Sequence, residues 1–322
     1  MYANQPEFDR LLVVVNPEST QFANVKQNVL ARLDDSEWAS RYTTVETKGL
    51  RIDANYGEHI GELILPNMAV IAAVGDGGLR ETSSGLAQTE DVIRNSSYLV
   101  TQAGGSGNDG LRSIQGRVHD VDILDLLEFG NKLPLDLMSL KLDDVEEIAL
   151  SYIGFGAMGD GAVEINLLKN REAKKTSNID DRILDAITLV KLAATKGIST
   201  FKYSEGTEPN KLASEITFSN LKYMAGGFVK FEESRPGKVV CIEIGPDNFM
   251  IDIGKRFVTQ RLFGGLRGLH LASREFTLES DVNANIDGDG RKIDAGTNVA
   301  VAVKASHINA LALPKQYGLS LA

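Results

Sequence analysis

Short, unbroken apolar runs alternate with segments of helical period through the first part of the chain. Leu11-Leu12-Val13-Val14-Val15 is stopped by Asn16-Pro17, after which Phe22, Val25, Val29 and Leu33 recur on one face of a helix. Arg41 to Thr47, rich in threonine and valine, reads as the next strand. Helix is predicted over Ala54 to Leu65, strand over Met68 to Val74, helix over Leu79 to Ala87, strand over Tyr98 to Gln102 and helix over Val121 to Phe129. Wholly apolar strands suit a sheet covered by helices on both faces. The βαβ order therefore predicts an α/β domain with a parallel, doubly wound sheet whose ligands bind at the carboxyl ends of its strands.

The pattern changes after Lys132-Leu133-Pro134-Leu135-Asp136, which sets a first domain at 1–137 and a second at 138–303. Closely spaced strands are predicted at Met138 to Leu142, Glu147 to Ile153, Ser199 to Ser204 and Leu212 to Ser219. More follow at Lys238 to Ile244, Phe249 to Ile253, Arg274 to Glu279 and Asn298 to Val303. This second domain reads as a β-sandwich with a helical insertion over 161–196. Within the insertion Ile179, Ile183, Ile187 and Val190 form an apolar stripe, which core packing explains better than a lipid-facing cover. Arg171 to Asn178 is charged and polar and reads as a loop.

Composition narrows the function. Over 322 residues, 34 basic groups face 44 acidic ones, a formal net charge of -10 that argues against a nucleic-acid partner and against general attraction to anionic membrane. Any membrane contact is expected to be peripheral and local. No stretch approaches the roughly 20 apolar residues of a span, and Met-Tyr-Ala-Asn-Gln-Pro-Glu-Phe-Asp lacks the features of a signal peptide, so a cytoplasmic protein is expected. The single cysteine, Cys241, lies in an apolar strand and reads as a buried core residue. The four histidines show no zinc-ligand spacing, and Ser83-Ser84-Gly85 is no nucleophile elbow.

Two glycine-rich turns carry the chemistry. Gly75-Asp76-Gly77-Gly78 follows the run from Ala69, and Gly104-Gly105-Ser106-Gly107-Asn108-Asp109 follows the run from Tyr98. Glycine at a strand end lets the backbone approach an anion closely, and an adjacent carboxylate can hold a metal ion or orient a hydroxyl. The dinucleotide fingerprint and the P-loop both fail to match. Two such turns, each with an acid, at successive strand ends point to phosphate binding.

These residues resemble the diacylglycerol and sphingosine kinase-like lipid kinases, within the wider group that includes the NAD kinases. Asn16-Pro17-Glu18-Ser19 resembles the family's Asn-Pro turn, Gly75-Asp76-Gly77-Gly78 with Glu81 its G-G-D-G-T-x-x-E, and Gly105-Ser106-Gly107-Asn108-Asp109 its G-T-x-N-D. Ile153-Gly154-Phe155-Gly156-Ala157, Ala225-Gly226-Gly227, Gly268-Leu269-His270 and Asp287-Gly288-Asp289 follow in the family's order, so the resemblance covers nearly the whole chain. It implies that residues 304–322 return to the first domain. It also implies an ATP- and magnesium-dependent kinase acting on a hydroxyl of a lipid such as diacylglycerol. A NAD kinase-like enzyme and a nucleotide-binding regulator without catalysis are the alternatives. A homodimer is compatible with the sequence.

By this resemblance Asn16, Gly75, Asp76, Gly77, Gly105, Ser106, Asn108 and Asp109 line the nucleotide site. Asp287 is the leading general base and Asp76 its rival, while Asp-Gly is equally a strong hairpin signal. Asp289, Asp136 and Glu164 are the magnesium-ligand candidates. Asp160, one helical turn before Glu164, is the candidate for the acceptor hydroxyl, although acids in a first turn also simply complement the helix dipole. Gly78 stands where the family has threonine, Asp289 where it has glutamate, and Glu232-Glu233-Ser234-Arg235-Pro236-Gly237 where many bacterial relatives carry an Asp-Gly that supports a structural magnesium. Leu262 to Leu269 is either an apolar rim for acyl chains or an ordinary glycine-broken loop.

Overall fold

β1 (Arg10–Val15) leads through α1 (Phe22–Val25), a π-type segment over Lys26–Leu30 and α2 (Ala31–Asp34) to β2 (Tyr42–Glu46). α3 (Tyr56–Leu63), β3 (Met68–Val74), α4 (Asp76–Gln88), α5 (Asp91–Ser96), β4 (Tyr98–Ala103), α6 (Asp109–Gln115) and α7 (Ile123–Phe129) follow. β5 (Asn131–Leu142), β6 (Val145–Ala149), β7 (Tyr152–Gly156) and α8 (Ala157–Glu172) open the β-rich part. It continues with β8 (Phe201–Glu205), β9 (Glu208–Ala213), β10 (Glu215–Ser219), β11 (Tyr223–Met224), β12 (Val229–Lys230) and β13 (Val239–Ile244). β14 (Leu269–Leu271), β15 (Ser273–Leu278), β16 (Val282–Ile286), β17 (Asp289–Ile293) and β18 (Asn298–Ala312) complete it. This computed structural model describes residues 6–47, 56–105, 108–116, 121–172, 200–224, 229–231, 237–246 and 266–313.

The chain divides into one unit of Met1–Asp136 with Ser306–Ala322 and another of Leu137–Ala305. In the first, strands run in the order β2-β1-β3-β4, joined by the end of β18, and every pairing is parallel. Val13, Val15, Ile71, Ala73 and Val100 on one face pack with Val25, Val29 and Leu33, so the periodic helical positions are buried as their spacing predicts. The chain leaves β1 for β2 on one side and reaches β3 on the other. That reversal places a crevice at the carboxyl ends of β1 and β3, the usual ligand position in such sheets.

The second unit is a sandwich. Its six-stranded antiparallel sheet has the order β14-β13-β10-β7-β16-β17. Ile153, Phe155, Ile216, Phe218, Ala284 and Ile286 from that sheet share one core with Phe201, Tyr203, Phe276, Leu278, Val299 and Val301. Phe155 and Phe276 meet edge to face at 5.4 Å between ring centroids. The other face of the six-stranded sheet carries α8, which packs on β7, β16 and β17. Glycines set this approach: a Cβ on Gly159 would lie 1.9 Å from the Asn283 carbonyl oxygen, and one on Gly290 2.5 Å from the Val163 nitrogen.

Two predicted strands are each broken in two. Glu147 to Ile153 divides into β6 and β7 around Leu150-Ser151, whose backbone N–H groups turn aside to donate to the Asp287 carboxylate. Leu212 to Ser219 divides into β9 and β10 at Ser214, whose N–H donates to Ile244 and whose carbonyl accepts from Ala157. Helix begins at Ala157, ahead of the predicted 161, and residues 173–196 of the insertion, with the Ile179 to Val190 stripe, lie outside the described residues. The predicted strand over 249–253 lies outside them too, as does 262–265 of the glycine-broken loop.

Because the Gly159 contact is backbone against backbone, Gly159→Ala is expected to destabilise the protein by about 1–3 kcal/mol, as overpacked positions do. Gly245, with nothing within 4 Å of an added Cβ, is the neutral control as Gly245→Ala. Urea unfolding of the two variants checks this.

Candidate nucleotide site

Three turns meet at the carboxyl ends of β1, β3 and β4. Asn16 closes the first locally: its carbonyl accepts from Ser19 N–H at 3.1 Å and its Oδ1 from Glu18 N–H at 3.0 Å. The Ser19 hydroxyl then donates to the Gly104 carbonyl at 2.6 Å, tying the first turn to the third. Between the second and third turns the chain has room only for glycine. A Cβ on Gly105 would fall 2.4 Å from Gly75 Cα, and one on Gly104 would fall 2.4 Å from the Ala73 carbonyl carbon.

Asn108 locks the third turn from within. It sits in the left-handed region at φ 52°, which asparagine tolerates better than most residues. Its Oδ1 accepts from the N–H groups of Gly104 at 3.3 Å and Gly105 at 3.1 Å, and its Nδ2 donates to the Gly105 carbonyl at 2.5 Å. These two glycine N–H groups are thus held by Asn108 rather than turned towards an anion. Asp76 spans the second and third turns: its Oδ1 accepts from Gly110 N–H at 3.0 Å in the first turn of α6. Asp109, also in that turn, is buried.

A second set of backbone donors lies at the start of α4, at the carboxyl end of β3. Gly75 is its N-cap and supplies no side-chain hydrogen bond, so the first-turn N–H groups from Asp76 to Gly78 form a positive helix end of a 13-residue helix. A phosphate at that end would be held by backbone N–H groups and by the dipole together. Gly78 has a local reason for departing from threonine, since its Cβ would lie 2.8 Å from Val74 Cβ. Glu81 faces away from this chemistry: it accepts from Gly57 N–H at 3.2 Å and pairs with Arg80 at 2.6 Å, joining α4 to α3. Gly77 is half-buried in the first turn of α4, whereas Ser106 lies outside the described residues.

Of the remaining candidates, Asp136 belongs to the first unit and Asp160, Glu164, Asp287 and Asp289 to the second. Asp287, 1% exposed, occupies the β16–β17 turn, where φ is 49° at Asp287 and 90° at Gly288, the backbone of a two-residue hairpin. Its Oδ2 accepts from Leu150 N–H at 2.7 Å, and its Oδ1 from the N–H groups of Ser151 and Tyr152, both at 2.8 Å. Three N–H donors on one carboxylate hold it in place. The Asp287 carboxylate thus anchors the β6–β7 turn. Asp160, in the first turn of α8, accepts from Asn283 Nδ2 at 2.7 Å.

Asp136 is half-buried in β5, Glu164 follows Asp160 by one turn of α8, and Asp289 is buried at the start of β17. Among the described residues no three His, Cys, Asp or Glu side chains converge as metal ligands. Residues 232–236, where the structural magnesium support was in question, lie outside the described residues.

Solved structures with this architecture exist. One described as a diacylglycerol kinase from Bacillus anthracis str. Sterne superposes with a TM-score of 0.65 at 17% identity, covering 97% of this chain and 99% of the other. Another from the same organism, assigned that activity provisionally, gives a TM-score of 0.67 at 19% identity, with 96% and 98% covered. The chain has the diacylglycerol kinase fold. No protein-family model and no curated protein sequence matches it. No helix of the described residues is long and apolar enough to cross a membrane.

Glu215, which no motif marks, is the buried titratable group that the sequence pattern hides. In Glu215-Ile216-Thr217-Phe218-Ser219 the polar positions alternate as if they faced water, yet all five residues are buried. Burial pushes the Glu215 carboxyl up to about 8, against the Thr217 hydroxyl and the Met158 N–H, which lower it, and with Asp160, which adds to the rise.

Asn108→Ala removes three hydrogen bonds and leaves alanine in the left-handed region. It is expected to cost about 4–5 kcal/mol, at roughly 1 kcal/mol per net hydrogen bond plus about 1–2 kcal/mol for the left-handed backbone. Amide hydrogen exchange at Gly104 and Gly105 should accelerate with it, and exchange unchanged from wild type would show that Asn108 does not hold the turn.

Proposed function

We propose that the protein is an ATP-dependent kinase that transfers the γ-phosphoryl group to a hydroxyl of a lipid such as diacylglycerol. The observation that carries the nucleotide half is the α4 terminus, a helix end without a side-chain cap and rimmed by two glycine turns whose backbones touch. Lipid as acceptor follows from the motif resemblance, and what the solved relatives are described as supports it.

In this reading the α4 N–H groups and dipole take the β- and γ-phosphates, while Asn108 and Ser19 keep the surrounding turns in register. The acceptor oxygen bonds to γ-phosphorus as the bond from γ-phosphorus to the bridging oxygen breaks, and the hydroxyl proton passes to a carboxylate. Asp76 takes that role here. It is half-buried rather than enclosed, and it adjoins the phosphate end of α4. Asp287, enclosed and bound by three backbone N–H groups, positions the β6–β7 turn. Any magnesium is expected to arrive on the nucleotide's phosphates, because this small cation takes most of its ligands from phosphate and water.

Radiolabelled γ-phosphate transfer to a total lipid extract tests the reading, with label expected in a lipid product. Asp76→Asn should lower turnover by on the order of 100-fold or more, the usual span of a lost general base. Asp287→Asn should lower the unfolding midpoint, since an amide nitrogen would then face backbone N–H groups. A folded Asp287→Asn protein of unchanged stability and ATP affinity but without turnover would return the base role to Asp287. Absence of label from every lipid would remove the lipid reading.

A further inference from the structure

Glu215 plays no part in the nucleotide reading, yet its placement is specific. It is 4% exposed and lies on the face of the six-stranded sheet that α8 covers. Its Oε2 accepts from Met158 N–H at 2.8 Å and its Oε1 from the Thr217 hydroxyl. One residue earlier the Ser214 carbonyl accepts from Ala157 N–H at 3.0 Å, so the start of β10 caps the first two residues of α8. Gly154 makes the space, with an added Cβ only 3.2 Å from both Glu215 Oε1 and Met158 Cβ.

Among the described residues, the neighbours of this carboxyl are nearly all uncharged. β7 and β13 oppose Glu215 with Gly156 and Ile244, β10 itself adds Thr217, and β16 brings Asn283 to Asp160. The charged group that acts on it is Asp160, in the first turn of α8, with Glu164 one turn further along. A negative Glu215 would suit the helix dipole, but among the described residues it would be buried beside a second carboxylate with no cation acting on it.

We propose that Glu215 is a proton-dependent clamp that fastens the start of α8 to β10 and so positions Asp160. Protonated, it satisfies Thr217 and Met158 N–H without a buried charge. Ionised, it draws water into the sheet face and loosens the first turn of α8. The sign follows from an acid whose proton is held more tightly in the folded state. The clamp's stabilisation is complete below about 4.5, declines as pH rises, and is gone above about 8. The positioning of Asp160 for an acceptor rests on the kinase reading; the clamp itself does not.

Amide hydrogen exchange of the full-length protein between pH 5 and 9 tests the clamp, each rate being divided by its intrinsic value. Protection of Ala157 to Asp160 should fall by up to roughly tenfold per pH unit towards pH 8 and then level, one proton being linked to opening. The first turn of α4 is the internal control and should not follow. In Glu215→Gln the slope at α8 should vanish, and if that variant fails to fold, the contrast of α8 with α4 in the wild type decides. Equal slopes at α8 and α4, or an unchanged slope in Glu215→Gln, would overturn the proposal. Lipid phosphorylation assayed over the same range should decline through about pH 8 in the wild type and lose that decline in Glu215→Gln. If α8 protection titrates as expected and no lipid is labelled at any pH, the kinase reading fails and the clamp stands.

Discussion

The approach of Gly105 to Gly75 is the constraint on which the candidate site rests. Two strand ends of a parallel sheet bring their turns so close that a single Cβ would collide with the opposing main chain. With the turns in contact, Asp76 reaches Gly110 N–H, Ser19 reaches the Gly104 carbonyl, and Asn108 can close its own turn. Each bond is worth about 1 kcal/mol net, so it is the shared geometry, rather than any one bond, that keeps the α4 terminus open to an anion.

The second unit uses the same device for a different end. Gly159 and Gly290 let α8 lie against the β16–β17 hairpin, and Asp287 gathers three N–H groups of the neighbouring turn. A buried polar sheet face results, because a helix covers positions that would otherwise meet water. Such a face must satisfy each of its polar groups internally, and Asp287, Glu215 and Asn283 do this through backbone or helix partners.

Much of this was legible in the sequence. Continuous apolar strands and the 3.6-residue spacing of Val25, Val29 and Leu33 predict the parallel sheet and its helices correctly, because one burial pattern serves both. The breaks at Leu150-Ser151 and Ser214 were not legible, since what interrupts those strands is a bond to a residue distant in the chain. Glu215 was invisible for a related reason: alternation with Ile216 and Phe218 is the ordinary mark of a solvent face, and only α8 makes it an interior one. The glycine turns announced close backbone approach, but not that the Gly104 and Gly105 N–H groups would be taken up by Asn108. Asp287-Gly288 carried both a hairpin and a catalytic reading; the hairpin is formed, and the Asp287 carboxylate accepts from three backbone N–H groups, which the sequence did not announce.

The proposed function requires that the open end of α4 receive nucleotide phosphates. Amide chemical shifts recorded while ATP is titrated into the isotopically labelled protein test it most directly. Saturable shifts are expected, largest at Asp76, Gly77 and Gly78. Saturable shifts confined to other parts of the chain, or none at millimolar ATP, would contradict it.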